Sequence, residues 1–341
     1  MQAQEHILKL LKTAAVHQLS YQDEEVLEKI GLHSFITHRL FSKKFRKWKL
    51  DPACIERTTQ AITTKIAAHE PITIVYPQGG YKLWRLPSSP NADWAEFFVM
   101  AYLLEYIAPI AAAYQPGVKI IFYLHTLLME LHDNLTTEEI AAYGESLQAI
   151  IAAFQAYCPT NITIEILRDA DIYSREEYFE ALETGRQQAV AEFAKWPPER
   201  QADYTRMANL NIKWQGRERW DLLNELEKQD KLYQAALYEI AATQNLPRVF
   251  EKVKSPNNVL VFTKPTKDFI GIGSTHSSVA KYWVGYGVLE TDGQRFYERV
   301  LSPSQWENCK KTEYHTEKIT VPKLEFLPEL CIFPRLNFSK A

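Results

Sequence analysis

Three short runs rich in β-branched and aromatic residues, at 72–76, 118–124 and 162–167, recur through the middle of the chain. One long helical pattern separates each pair. Asp93-Trp-Ala-Glu96 opens the first helix, predicted over 93–114 and ended by Gln-Pro-Gly, and the second is predicted over 136–157. Asp-x-x-Glu before an apolar run is a capping-box signature, and Pro-Gly is a strong stop. Parallel strands need a crossover of about a dozen residues or more, which these helices supply, whereas a hairpin would need only a short turn. The pattern therefore predicts an α/β protein with a Rossmann-like parallel sheet core.

The flanks differ from this core. Residues 2–68 read as helical throughout, with Asp51-Pro52 as a helix start. The chain turns helical again over 175–243, interrupted at Trp196-Pro-Pro and around Gln215-Gly216. Beyond Pro247 it becomes strand-rich, with strands expected at 258–262, 282–290, 294–300 and 318–321 and a hairpin turn at Glu290-Thr-Asp-Gly-Gln. The expected organisation is a helical N-terminal region (1–68), a Rossmann-like core with a helical extension (69–245), and a strand-rich C-terminal region (246–341) packing on the core.

Composition narrows the class of function. A formal net charge of −3 argues against a dedicated nucleic-acid binder. No apolar run approaches the roughly 18 residues of a membrane span, and the first residues lack the basic and apolar regions of a secretory signal. Cys54, Cys158, Cys309 and Cys331 lie far apart without a CxxC pair, which fits reduced thiols rather than disulfides or a zinc site. A cytoplasmic location is expected, with no metal and no cofactor.

Ligands of open α/β sheets sit beyond the carboxyl ends of the strands. The first strand runs into Gln78-Gly79-Gly80-Tyr81-Lys82, with Arg85 nearby; the second runs into His125, and the third into Arg168-Asp169-Ala170-Asp171. Gly79 and Gly80 permit close backbone approach, and Lys82 can meet a phosphate or carboxylate or act as a desolvated amine. The same residues also suit a plain glycine turn with a surface lysine. Glu96 can face a pocket or serve only the helix cap, and His125 can move protons or stay structural. A second cluster, Gly271-Ile-Gly-Ser274-Thr-His276-Ser277-Ser followed by Lys281, can hold an oxyanion or make a tight connection between strands. Arg206 and Asn209 share a face if their segment is helical, or mark a polar helix end. The basic run Lys43-Lys-Phe-Arg-Lys-Trp-Lys49 can touch RNA or an acidic partner, or form a solvated helix face.

In the centre of the chain lie Pro71-Ile72, then Lys82, Pro90 with Asp93 and Glu96, Tyr114 with Pro116-Gly117-Val118, and Tyr143. In order and spacing over about residues 65–168 these resemble the isocyanide (isonitrile) synthase family, which includes the pyoverdine/dityrosine biosynthesis proteins. Where that family has a Ser-Asp-Gly-Arg-like segment this chain has Tyr123-Leu-His-Thr126, and the family's Phe-Pro before the lysine is replaced by glycine and tyrosine. The resemblance implies a modified Rossmann-like fold and conversion of an amino acid's amine to an isocyanide, with the carbon taken from ribulose 5-phosphate. It also implies that Lys82 stands at the mouth of the active site. Substrates would then be an amino acid and a phosphosugar, with no membrane or nucleic-acid partner and no oligomeric state specified. Two other readings stand beside it: a non-catalytic binding protein, and another group-transfer enzyme on the same scaffold.

Overall fold

The structure, a computed structural model, describes residues 2–15, 18–78, 91–131, 135–202, 205, 222–244, 255–262, 268–273, 285–301 and 303–334. Its centre is a five-stranded parallel sheet in the order β3-β2-β1-β4-β5, formed by β1 (Ile72–Gln78), β2 (Val118–Leu124), β3 (Ile162–Arg168), β4 (Val259–Phe262) and β5 (Ile270–Gly271). The three strands expected from the sequence lie side by side. β4 and β5 fall beyond residue 246 and nevertheless join the core sheet instead of the C-terminal one.

Alternation along the strands buries both faces, as a parallel sheet requires. Ile74, Tyr76, Ile120 and Phe122 face a layer that includes α4 (Trp94–Ala113) and α6 (Thr137–Gln155). Val75, Tyr123 and Leu260 face the other layer, where α7 (Arg175–Phe193) brings Tyr178 and Leu182 and α8 (Glu225–Gln244) brings Ala241. The short α5 (Thr126–Leu131) follows β2 directly. The same device starts the long helix that follows each of the first three strands. Capping boxes join Asp93 to Glu96 at α4, Thr136 to Glu139 at α6, and Ser174 to Glu177 at α7.

The N-terminal region holds α1 (Ala3–Leu11), α2 (Tyr21–Leu40) and α3 (Pro52–Ala67), with Asp51 capping α3. It is not helical throughout. Residues 43–49 form turns, with an isolated antiparallel bridge from Arg46 to Ile272 beside β5. Arg46 is held there because its guanidinium donates to the carbonyls of Phe41 and Trp48. A run of basic residues that suggested a solvated helix face therefore extends the margin of the sheet.

α4 is apolar on nearly every side, the mark of a helix enclosed by protein. It is long and apolar enough to cross a membrane, yet 78% of its most apolar stretch is buried inside the protein. Part of its cover is a second, mixed sheet in the order β7-β6-β9-β8, formed by β6 (Tyr286–Thr291), β7 (Phe296–Leu301), β8 (His315–Glu317) and β9 (Leu330–Pro334). A short helix, α9 (Pro303–Cys309), follows β7. The β6–β7 hairpin turns where expected. The strand expected over 318–321 does not form; β8 lies just before it, and β9 inserts beside β6.

Two glycines fix the packing. At Gly117, φ is +78° and a Cβ would lie 1.8 Å from the carbonyl oxygen of Asn161, so the turn into β2 admits no side chain. At Gly287 a Cβ would lie 2.3 Å from the backbone nitrogen of Ala95, which lets β6 rest directly on the first turn of α4.

Candidate functional site

The register of the core strands settles where their ends lie. Gln78, Leu124 and Arg168 are aligned across β1, β2 and β3, so the chain leaves all three strands at one level. Because β4 and β5 run parallel to them, Gly273 follows β5 out at the same edge of the sheet. Neighbouring strands stand about 4.8 Å apart, which puts the exits of β1, β2 and β3 within roughly 10 Å of one another. This edge is where the sequence expectation places the candidate site.

His125 is the first residue after β2 and is buried, with its ring edge-on to Tyr123 at a centroid separation of 4.9 Å. Its backbone carbonyl accepts from Met129 N–H, so the residue begins α5. Burial pushes the imidazole down to about 4 from 6.5, and it is neutral at pH 7.

Asp169 stands beside it, just past β3, with 0% exposure. Three donors converge on its Oδ1: the Thr126 hydroxyl at 2.6 Å and the N–H groups of Leu127 and Ala170, each at 2.9 Å. Its other oxygen, Oδ2, lies 3.9 Å from His125 Nδ1 and has no hydrogen-bond partner among the described residues. Burial raises the carboxyl from 3.8 to about 6, against the downward pull of the hydrogen bonds from Thr126, Leu127 and Ala170. The 3.9 Å contact is an ion pair only when His125 is protonated, and at pH 7 it joins a carboxylate to a neutral ring. Burial likewise pushes the Tyr123 hydroxyl up, with Asp169 and Tyr173 adding to the shift.

Glu96 is fully buried at the N-terminus of α4. Its Oε2 accepts from Asp93 N–H at 2.8 Å and its Oε1 from the Tyr143 hydroxyl at 3.0 Å. Those bonds tie the first turn of α4 to α6 and give Glu96 a capping and bridging place. Asp93 caps the helix by accepting from Ala95 N–H.

Of the other residues singled out in the sequence, Gly79, Gly80, Tyr81, Lys82, Arg85, Arg206, Asn209, Ser274, His276, Ser277 and Lys281 lie outside the described residues, as does His132. The segments leading into them are described. Gln78 ends β1 at the rim. Gly273 N–H points at both the Phe45 carbonyl (3.2 Å) and the Tyr102 hydroxyl (3.3 Å), and Lys47 N–H donates to the Gly271 carbonyl. The start of the 271–281 segment is thus clamped to α4 and to the basic run.

Asp169 is named in the sequence only as part of the polar cluster ending the third strand, with no role of its own. It sits in a run of charged residues, Arg168-Asp-Ala-Asp171, that resembles an exposed strand end. The signal available was its position, one residue past the third strand, level with His125 one residue past the second.

No protein-family model and no curated protein matches the chain. Among solved structures, the PvcA protein from Pseudomonas aeruginosa matches with a TM-score of 0.60 at 16% identity, over 89% of this chain and 99% of that one. The two proteins share an α/β fold across nearly their whole lengths.

Proposed function

We propose that this protein is an isocyanide-synthase-like enzyme that joins an amino acid's amine to a phosphosugar resembling ribulose 5-phosphate. The observation that carries this reading is the level alignment of Gln78, Leu124 and Arg168, which sets the end of β1 at the same edge as the buried His125–Asp169 pair. The family resemblance of residues 65–168 and the fold shared with PvcA support it.

In this scheme Gly79 and Gly80 bring backbone N–H groups to the phosphate, while Lys82, Arg85 and Lys281 neutralise phosphate and carboxylate. The first bond is made by the amine nitrogen on the sugar's carbonyl carbon. His125 carries two protons in turn from that nitrogen to the former carbonyl oxygen: the first gives the neutral carbinolamine, and the second lets the oxygen leave as water while the nitrogen forms the imine double bond. No metal and no cofactor is assigned a role.

Thermal denaturation with ribulose 5-phosphate tests the reading. At a hundred times its dissociation constant a ligand stabilises by about 2.7 kcal/mol. Lys82→Ala is expected to abolish that gain, and mass spectrometry with a panel of amino acids to reveal the product. An unchanged transition with every phosphosugar tried would refute the reading.

A second reading has its own observation. Lys43, Lys44, Lys47, Trp48 and Lys49 are exposed along the margin beside β5, a surface suited to an acidic partner. Charge reversal at Lys43 and Lys47 tests it by loss of a captured partner. Arg46 is unsuitable for that purpose, since its guanidinium holds the local backbone.

A further inference from the structure

The carboxylate of Asp169 is divided unevenly. Three donors meet at Oδ1, and the Thr126 backbone N–H also bears on the carboxylate, so the α5 turn is already held without a bond to Oδ2 from His125. Oδ2 is buried as well, and a buried charged acceptor without a hydrogen bond is more destabilising than a neutral one. The side chain cannot swing to relieve this, because the Thr126 hydroxyl and two backbone N–H groups hold its partner oxygen. What Oδ2 faces is Nδ1 of His125, at 3.9 Å. A shift of about 1 Å closes that gap to hydrogen-bonding distance, and contacts of this kind commonly tighten only when substrate is bound.

We propose that Asp169 is the positioning residue of His125: its Oδ2 selects the imidazole tautomer protonated at Nδ1, leaving Nε2 as the proton acceptor. This assignment rests on the proton-transfer role given to His125 above, and deepens it. When Nε2 takes a proton from the substrate amine, the resulting imidazolium lies against a carboxylate that is already in place. Thr126, Leu127 and Ala170 fix that carboxylate, and the Tyr123 ring limits the tilt of the imidazole. His125 and Asp169 come from consecutive strand ends, so the pair is set by strand register rather than by a loop.

The test reads the tautomer directly. In full-length protein labelled with 15N-histidine, with the His125 signal assigned through His125→Gln, the wild type is expected to show a neutral ring with Nδ1 protonated and Nε2 bare. Asp169→Asn keeps the carbonyl that serves the three donors and turns an amide N–H towards Nδ1, so the proton should move to Nε2. Thr126→Val retains the carboxylate and should retain the wild-type tautomer. A wild-type ring protonated at Nε2, or an Asp169→Asn ring unchanged from wild type, overturns the proposal. Should Asp169→Asn not fold, the wild-type spectrum alone decides.

Kinetics give the second readout. Asp169→Asn is expected to lower kcat about a hundredfold or more with KM little changed, and a loss of turnover with the tautomer retained would mark Asp169 as structural and overturn the assignment. The tautomer needs no substrate. A proton that moves as expected in a protein that makes no isocyanide leaves this pairing standing and removes only the proposed reaction.

Discussion

An acid and a base buried side by side respond to pH in opposite senses, and at this site the two responses overlap. His125 is lowered to about 4 from 6.5, so the unfolded chain binds the extra proton between those values; its contribution is full above pH 6.5 and lost as pH falls towards 4. Asp169 is raised from 3.8 to about 6, so the native state binds the extra proton; its contribution is full below pH 3.8 and lost as pH rises through 6. Each amounts to about 3 kcal/mol at 1.36 kcal/mol per unit. In the wild type the two nearly cancel across pH 4 to 6. Asp169→Asn removes one limb, and its stability relative to wild type should rise by about 3 kcal/mol from pH 4 to 6.5. Chemical denaturation at a series of pH values checks this, and parallel curves for the two proteins would contradict the assigned shifts. A site of this kind is poorly legible in a sequence, because an aspartate is read as exposed until something shows that it is buried. His125 was visible because it directly follows an apolar strand, while Asp169 lay hidden among charged neighbours.

At the scale of elements, strands and helix starts were legible wherever the signals were local. β1, β2 and β3 begin and end within two residues of the runs that announced them, and the Asp93–Glu96 cap lies where its spacing placed it. Long-range pairing leaves no such trace. Nothing near β4 says that it joins β1 across more than 170 residues of chain, nor that β9 inserts beside β6. The basic run is solvated, as its charges suggest, but it is not a helix, since its backbone lies against β5 through a long-range bridge that its composition does not show. Contact between elements also sets a limit on substitution at Gly287, whose missing side chain seats β6 on the first turn of α4. Gly287→Val should lower stability by on the order of 3 kcal/mol, since the obstructing atoms are backbone and cannot turn aside. Thermal or urea unfolding will show it, and a shift below about 0.5 kcal/mol would mean that the second sheet rides loosely on the helix.

For the whole molecule, the core sheet closes only when the two ends of the chain contribute to it. β4 and β5 come from beyond residue 246, Phe45 and Arg46 brace β5, and Gln4 exchanges two hydrogen bonds with Thr320 through its side-chain amide. A fragment of residues 69–245 should therefore fail to fold alone, giving poorly dispersed amide resonances and non-cooperative melting. A cooperative transition from that fragment would instead support a self-sufficient central unit. The bridge from Arg46 to Ile272 has one further consequence. A two-residue strand at the border of a sheet offers another chain little to pair with, and here an antiparallel neighbour from the same molecule already sits alongside it. At the opposite border, β3 sets exposed Thr163 and Glu165 between buried isoleucines, and Glu165 is ion-paired to Lys119. Among the described residues, neither border of the core sheet offers a flat apolar ribbon for recruitment into a fibril, so edge-to-edge stacking through that sheet is disfavoured.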